Sequence, residues 1–193
     1  MIRSFCAIQL PPDVRDRLNA GILKLCKTPV HAAWGRAGQM HVTLTFHGDQ
    51  PDERIKDLID ILPQAIASLP AFDVRIHGVG FFGRPRAPRV IWAGVTEGHD
   101  ALVALRQTVA TAAQAAGIAI EARPYHPHIT LGRIRRAVPE SRRELILAMQ
   151  AMESTDFGVV PVRQVAVMQS RLTADGACHG LLAAVAIDRP DGT

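Results

Sequence analysis

Two short stretches of the 193-residue chain set an imidazole and a hydroxyl two residues apart: His41-Val42-Thr43-Leu44 and His128-Ile129-Thr130-Leu131, separated by 128 minus 41, or 87, residues. In an extended strand successive side chains point to opposite faces. The His and Thr of each copy therefore share one face, while the apolar pair anchors the other face in a core. An imidazole with its ordinary pKa of about 6.5 offers both protonation states at neutral pH. Two such strands facing each other would surround a small anionic group with two imidazoles and two hydroxyls. In-line attack on a phosphodiester needs that set: one ring takes a proton from water, the other protonates the leaving oxygen, and the hydroxyls donate to the non-bridging oxygens. No metal and no nucleophilic cysteine enters this chemistry. The same residues also fit two structural histidines on unrelated strands, and both readings stand on the tetrapeptides alone.

The elements that would hold these residues follow from periodicity. Residues 2–10 form an apolar, β-leaning run ended by Pro11-Pro12, and from Asp13 the spacing of Val14, Leu18, Ile22 and Leu25 predicts a helix. Residues 41–47 alternate, with Val42, Leu44 and Phe46 on one side and His41, Thr43 and Thr45 on the other. Pro51-Asp52-Glu53 opens a second helix with Ile55, Leu58, Ile59 and Leu62 as its stripe, which Pro63 is expected to end or kink. Strands are expected at 72–80 and 89–95, joined by a loop over FFGRPRAP. Leu102, Leu105, Val109, Ala112, Ala113 and Ala116 predict a third helix stopped by Gly117. Short strands at 118–122 and 127–134, a helix at 139–151 and strands at 162–170 and 181–187 complete the reading. Strands in pairs between helices favour an α+β fold with antiparallel sheets over a doubly wound parallel sheet.

Composition narrows the class. Hydrophobic residues make up 48% and charged residues 21%, values of a globular chain that exclude disorder and collagen-like repeats. No apolar run reaches the roughly 18 residues of a membrane helix, and the N-terminal apolar stretch is too short for a signal peptide. The expectation is a cytoplasmic protein whose mature chain is the whole chain. Cys6, Cys26 and Cys178 are odd in number and widely spaced, as suits reduced thiols. A net charge of +4 is too small for a general nucleic-acid coat, yet the clusters Arg84, Arg86, Arg89 and Arg133, Arg135, Arg136 carry planar forks that match phosphate oxygens. Solvated arginines are the bland alternative for each cluster.

With these residues in view, the chain resembles the two-histidine phosphoesterases, and within them the RNA 2′,3′-cyclic phosphodiesterases, also called the LigT or 2′-5′ RNA ligase family. The resemblance rests on HVTLTFHG at 41–48 and PHITLGR at 127–133, and extends to RSFCAIQLPPDVRDRL at the N-terminus, RPRAPRVIWAGV at 84–95 and MQSRLTADG at 168–176. It implies a two-lobed α+β fold spanning 1–193, with antiparallel sheets flanked by helices around a central cleft of pseudo-two-fold symmetry. It also implies hydrolysis of RNA 2′,3′-cyclic phosphate ends to 2′-phosphomonoesters, with a slower reverse 2′-5′ ligation. Carried over by position, His41 becomes the general acid and His128 the general base. Thr43 and Thr130 become phosphate ligands and Arg133 the cationic clamp, while Phe46 packs near a base or in the core. No cofactor, metal or obligate protein partner is expected; the partner is RNA or a nucleotide with a cyclic phosphate end, and no membrane. The rivals are the same chemistry on another cyclic nucleotide or a 2′-5′ oligonucleotide, and a non-catalytic RNA-binding module.

Some positions depart from the family pattern. His47 stands where Leu is usual, and Cys178-His179 where an aromatic is common. Arg133 falls, by strict alternation, with Ile129 and Leu131 on the core face, so Gly132 would have to let the strand bend or bulge. His126-Pro127-His128 has no companion ligand at metal-like spacing, so His126 is expected near the site or at the surface. His31, His77, His99 and His179 have no partner that spacing can name. Trp34 and Trp92 are expected in the core, Tyr125 is open between core and site, and Phe81-Phe82 could form an aromatic lip beside Arg84 and Arg86.

Overall fold

Ile129 and Leu131, like Val42 and Leu44, are almost wholly buried. At about 1.5–3 kcal/mol for each large apolar side chain removed from water, this settles which face of each His-x-Thr strand turns inward. The protein, described by a computed structural model over residues 1–122, 124–173 and 176–187, builds two antiparallel sheets around that constraint. In chain order the elements are β1 (Ile2–Gln9), α1 (Pro12–Leu25), β2 (His31–Trp34), a 3-10 turn (Ala37–Gln39), β3 (His41–Gln50), α2 (Asp52–Ile66), β4 (Phe72–Arg84), β5 (Ala87–Val95), α3 (His99–Ala115), β6 (His128–Arg136), α4 (Pro139–Gln150), β7 (Asp156–Val162), β8 (Gln164–Thr173) and β9 (Gly176–Ala186).

One sheet runs β3-β1-β8-β9 and the other β2-β6-β5-β4-β7. The chain crosses between the sheets four times: β2 leaves the N-terminal half to pair with β6, β3 returns to pair with β1, β4 crosses again, and β8 and β9 come back beside β1. Helices α2 and α3 pack together and against β3 and β1, while α1 and α4 cover β6, β7 and β4. Among the described residues a core containing Val14, Leu18, Leu58, Leu102, Leu131 and Leu145 runs continuously through both lobes. A separate cluster of Phe5, Ala7, Ala166 and Met168 lies on β1 and β8.

The structure corrects several expectations. The FFGRPRAP loop is strand for most of its length, because Phe81 pairs with Ile91 and Phe82 with Val90, leaving only a tight hairpin end. Pro63 does not end α2. The helix continues to Ile66, because Leu62 and Ile66 are fully buried and their packing offsets the one backbone bond that proline removes. Residues 118–122 form no strand, although Ile118 is buried and the chain does turn at Gly117 with φ +74°. The strand expected at 162–170 is two, β7 and β8, meeting at Arg163, whose guanidinium donates to the Phe72 carbonyl and pairs with Asp73. Of the family-like block at 168–176, positions 174 and 175 lie outside the described residues, as do 188–193 of the expected 1–193 extent.

Candidate active site

Both His-x-Thr strands break their alternation at the same place. On β3, Ala7 pairs with Thr43 and Cys6 with Thr45, so Leu44 is an extra residue in the ladder. On β6, Trp92 pairs with Thr130 and Ile91 with Gly132, so Leu131 is the extra residue. Leu44 and Leu131 are themselves 87 positions apart. A bulge shifts every later side chain to the opposite face. After it Thr45 is buried and Phe46 exposed, and Gly132 is buried with Arg133 exposed. Phe46 therefore leaves the core face that simple alternation gives it, and Arg133 joins His128 and Thr130. Gly132 is needed here because a Cβ would come within 2.6 Å of Trp34 Cε3.

His41, Thr43, Phe46, His128, Thr130 and Arg133 all line one cleft of about 450 Å³ between the two sheets. Arg3, Arg36, Arg135, Trp34, Gln39, Phe5 and His179 share its wall, and among the described residues no Asp or Glu lines it. The potential inside is accordingly positive, as an anionic group requires.

The two imidazoles are held alike. His41 Nδ1 lies 2.8 Å from the Gln39 carbonyl and His128 Nδ1 lies 2.7 Å from the His126 carbonyl, each acceptor two residues upstream. A carbonyl only accepts, so Nδ1 carries the proton in both rings and Nε2 is left for chemistry. Phe5 stacks on His41 at 4.7 Å, and His179 meets His41 edge-on at 5.2 Å. Phe82 does the same for His128 at 4.8 Å. Burial drives the pKa of His41 down to about 4, with His179 and His128 adding to the depression and the Gln39 carbonyl opposing it. His128 is lowered first by burial, then by the nearby Arg133 and His126 charges, against the opposing His126 carbonyl. Both rings are thus neutral near pH 7 in the unliganded protein.

Three residues outside the expected set build this geometry. Gln39 ties two elements together: its carbonyl accepts from His41, and its side-chain Oε1 accepts from the His179 backbone N–H. Only its place two residues before a motif histidine, matching His126, hints at this. Tyr125 donates its hydroxyl to the Thr43 carbonyl at 2.9 Å, joining the approach to β6 to the strand of the other lobe. His179 brings a third imidazole to the cleft, and its one sequence signal is its departure from the family's aromatic. Trp34 is only partly buried and lines the cleft, and Phe82 lies against His128. His47 is away from the cleft, buried between Ser4 Oγ at 3.0 Å and Thr45 Oγ1 at 2.9 Å, with its pKa pushed down by burial to about 4. His126 contributes its carbonyl and belongs to no cluster of three metal-ligand side chains among the described residues.

The model of the 2′-5′ RNA ligase superfamily matches residues 29–173, a span that holds both His-x-Thr strands. The chain belongs to that superfamily. Among curated relatives it is 30% identical to an RNA 2′,3′-cyclic phosphodiesterase of Thermotoga maritima, covering 94% of this chain and 93% of that protein. A protein of the same name from Thermus thermophilus is 31% identical, with 94% and 88% covered. Among solved structures, the Thermus thermophilus protein TT0787 matches with a TM-score of 0.79 at 25% identity over 97% of this chain and 99% of that one. E. coli LigT complexed with 3′-AMP matches in fold with a TM-score of 0.77 at 23% identity over the same shares. Superfamily membership accounts for the two-lobed α+β architecture. Among the described residues no helix is long and apolar enough to cross a membrane.

Proposed function

We propose that this protein opens RNA 2′,3′-cyclic phosphate ends by attack of water, leaving a 2′-phosphate. The observation that carries the reading is one cleft lined by two imidazoles, two hydroxyls and a guanidinium, the last turned outward by the bulge at Leu131, with no acid among the described lining residues. His128 Nε2 takes a proton from water as the water oxygen bonds to phosphorus. The P–O3′ bond breaks, and His41 Nε2–H delivers its proton to O3′. Thr43, Thr130 and Arg133 donate to the non-bridging oxygens, where negative charge gathers. Burial first, and then the nearby Arg133 charge, favour the neutral, proton-accepting form of His128, and Arg133 on the same strand supports its assignment as the base. His41 reaches its acidic form when the phosphate anion enters and counters the desolvation of its cation. Phe46, exposed on the cleft wall with Arg3 over its ring at 4.9 Å, offers an apolar face to the nucleoside.

The test is product analysis with cyclic-phosphate-ended RNA in EDTA, beside a cyclic phosphate of an ADP-ribose derivative and a 2′-5′ oligonucleotide. His41→Ala and His128→Ala are each expected to lose roughly 10²- to 10⁴-fold in turnover while remaining folded. With a substrate whose leaving group needs little protonation, His41→Ala recovers and His128→Ala does not. Near-full turnover in either variant would refute the two-histidine mechanism, equal rescue would refute the division of roles, and preference for another panel member would reassign the substrate.

A further inference from the structure

Some arginines of this protein have carboxylate partners. Arg17 pairs with Asp13, Arg75 with Glu97 and Asp156, and Arg163 with Asp73. Arg84, Arg86, Arg133 and Arg135 are all exposed, and among the described residues none has an acidic partner. These four are also neighbours. Arg133 and Arg135 line the cleft, and the pairing of Val90 with Arg133 carries β5 and β6 onward together. The end of the β4–β5 hairpin, bearing Arg84 and Arg86, therefore lies at the same end of the sheet as Arg135. From Thr130 the strip extends about 20 Å along β6, at roughly 3.3 Å per residue. At its inner end the Trp34 ring lies over Gly132 on the cleft wall.

Unpaired like charges side by side raise the energy of the folded protein unless something neutralises them. A positively charged groove with an aromatic platform is also how single-stranded nucleic acid is followed along its backbone. Resting on the phosphodiesterase reading above, we propose that this strip holds the single-stranded RNA immediately 5′ of the cyclic phosphate. The terminal phosphate sits between His41 and His128, Trp34 stacks a base, and successive upstream phosphates meet Arg135 and then Arg84 and Arg86 on the hairpin. The protein then discriminates by length, and a single-stranded tail of several nucleotides is a better substrate than a cyclic mononucleotide.

Arg84→Gln/Arg86→Gln is the informative variant, since both side chains lie outside the cleft. Turnover is followed with a cyclic mononucleotide and with cyclic-phosphate-ended dinucleotide and hexanucleotide, and binding of the hexanucleotide by fluorescence anisotropy across a salt series. The parent protein is expected to favour the hexanucleotide at least tenfold in kcat/KM. The double variant keeps mononucleotide turnover, loses most of that advantage, and shows a log-log salt slope shallower by about 1.4, or roughly 0.7 for each lost contact to a single strand. Equal kcat/KM for all lengths, or an unchanged slope in the variant, overturns the proposal. So does binding of blunt duplex RNA, or of vesicles rich in anionic lipid, as tight as that of the single strand. Failure to open any cyclic phosphate would instead refute the enzymatic reading, and the anisotropy slopes would still decide the strip.

Discussion

If His41 is the general acid, the unliganded protein holds it in the wrong state, and the substrate must correct this. Burial takes its pKa from 6.5 to about 4, so at pH 7 only about one ring in a thousand carries the proton. The gap is 6.5 minus 4, or 2.5 units, equivalent to about 3 kcal/mol at 1.36 kcal/mol per unit. A phosphate anion between the rings supplies energy of the required sign, because it stabilises the imidazolium and not the neutral ring. The assay is an NMR titration of the histidine Cε1–H signals, assigned by His41→Ala and His128→Ala, in the free protein and with a bound 2′-nucleotide. His41 is expected to titrate near 4 when free and at least one unit higher with the nucleotide. Since both rings are depressed from 6.5, kcat/KM should already be falling above about pH 6.5, and the falling limb of kcat should lie at higher pH. A free His41 titrating near 6.5 would refute the desolvation argument. A His41 that bound 2′-phosphate leaves unmoved, while His128 rises, would refute its assignment as the acid.

Other outcomes follow from particular contacts. His47 is neutral in the fold with its pKa lowered from 6.5 to about 4, so between those values the unfolded chain binds the extra proton and stability falls as pH falls. Urea unfolding at about pH 7 and about pH 5 should show His47→Leu losing about 2 kcal/mol less than the parent, and equal losses would refute this. Gly132→Ala, whose new methyl meets the Trp34 ring at 2.6 Å, should lower kcat/KM at least tenfold by disturbing the bulge that turns Arg133. Gly38→Ala, with nothing within 4 Å, should stay within about 0.5 kcal/mol in stability and keep its activity. Thr43→Val or Thr130→Val should each cost about 1–3 kcal/mol in kcat/KM, read as initial rates. His179→Ala should lower kcat about three- to tenfold by freeing the His41 ring, whereas His179→Phe should keep kcat.

What periodicity can read is the anchoring. Val42, Leu44, Ile129 and Leu131 are buried as alternation requires, and the four motif residues follow from them. What it cannot read is the interruption of the ladder. An extra residue leaves no mark in composition, and alternation puts Phe46 on the wrong face for that reason. Gly132 beside Arg133 is the one hint, since a cationic residue in a core strand calls for a bend. β2 is four residues long and exists through pairing with β6, which lies about a hundred positions away, so local propensity says little about it. Phe81 to Arg84 reads as a loop because of its glycine and the prolines that follow, yet cross-strand pairing with β5 outweighs them. Gln39 and Tyr125 act through a carbonyl and a hydroxyl whose partners only the fold brings near.

The two repeated strands carry the same cleft-facing residues as far as the bulge and differ beyond it. His41 answers to His128, Thr43 to Thr130 and Leu44 to Leu131, but Phe46 answers to Arg133, all at the same interval of 87. A cradle made only of the repeated residues would look the same from either side, and a five-membered cyclic phosphate could enter it in two orientations, each exposing a different ester oxygen to the acid. Phe46 and Arg133 remove that equivalence, one wall offering hydrocarbon and the other a fixed positive charge. On the phosphodiesterase reading, polarity, and with it which of two adjacent ribose oxygens keeps the phosphate, depends on the exposed, cleft-lining pair in which the two strands differ, Phe46 and Arg133.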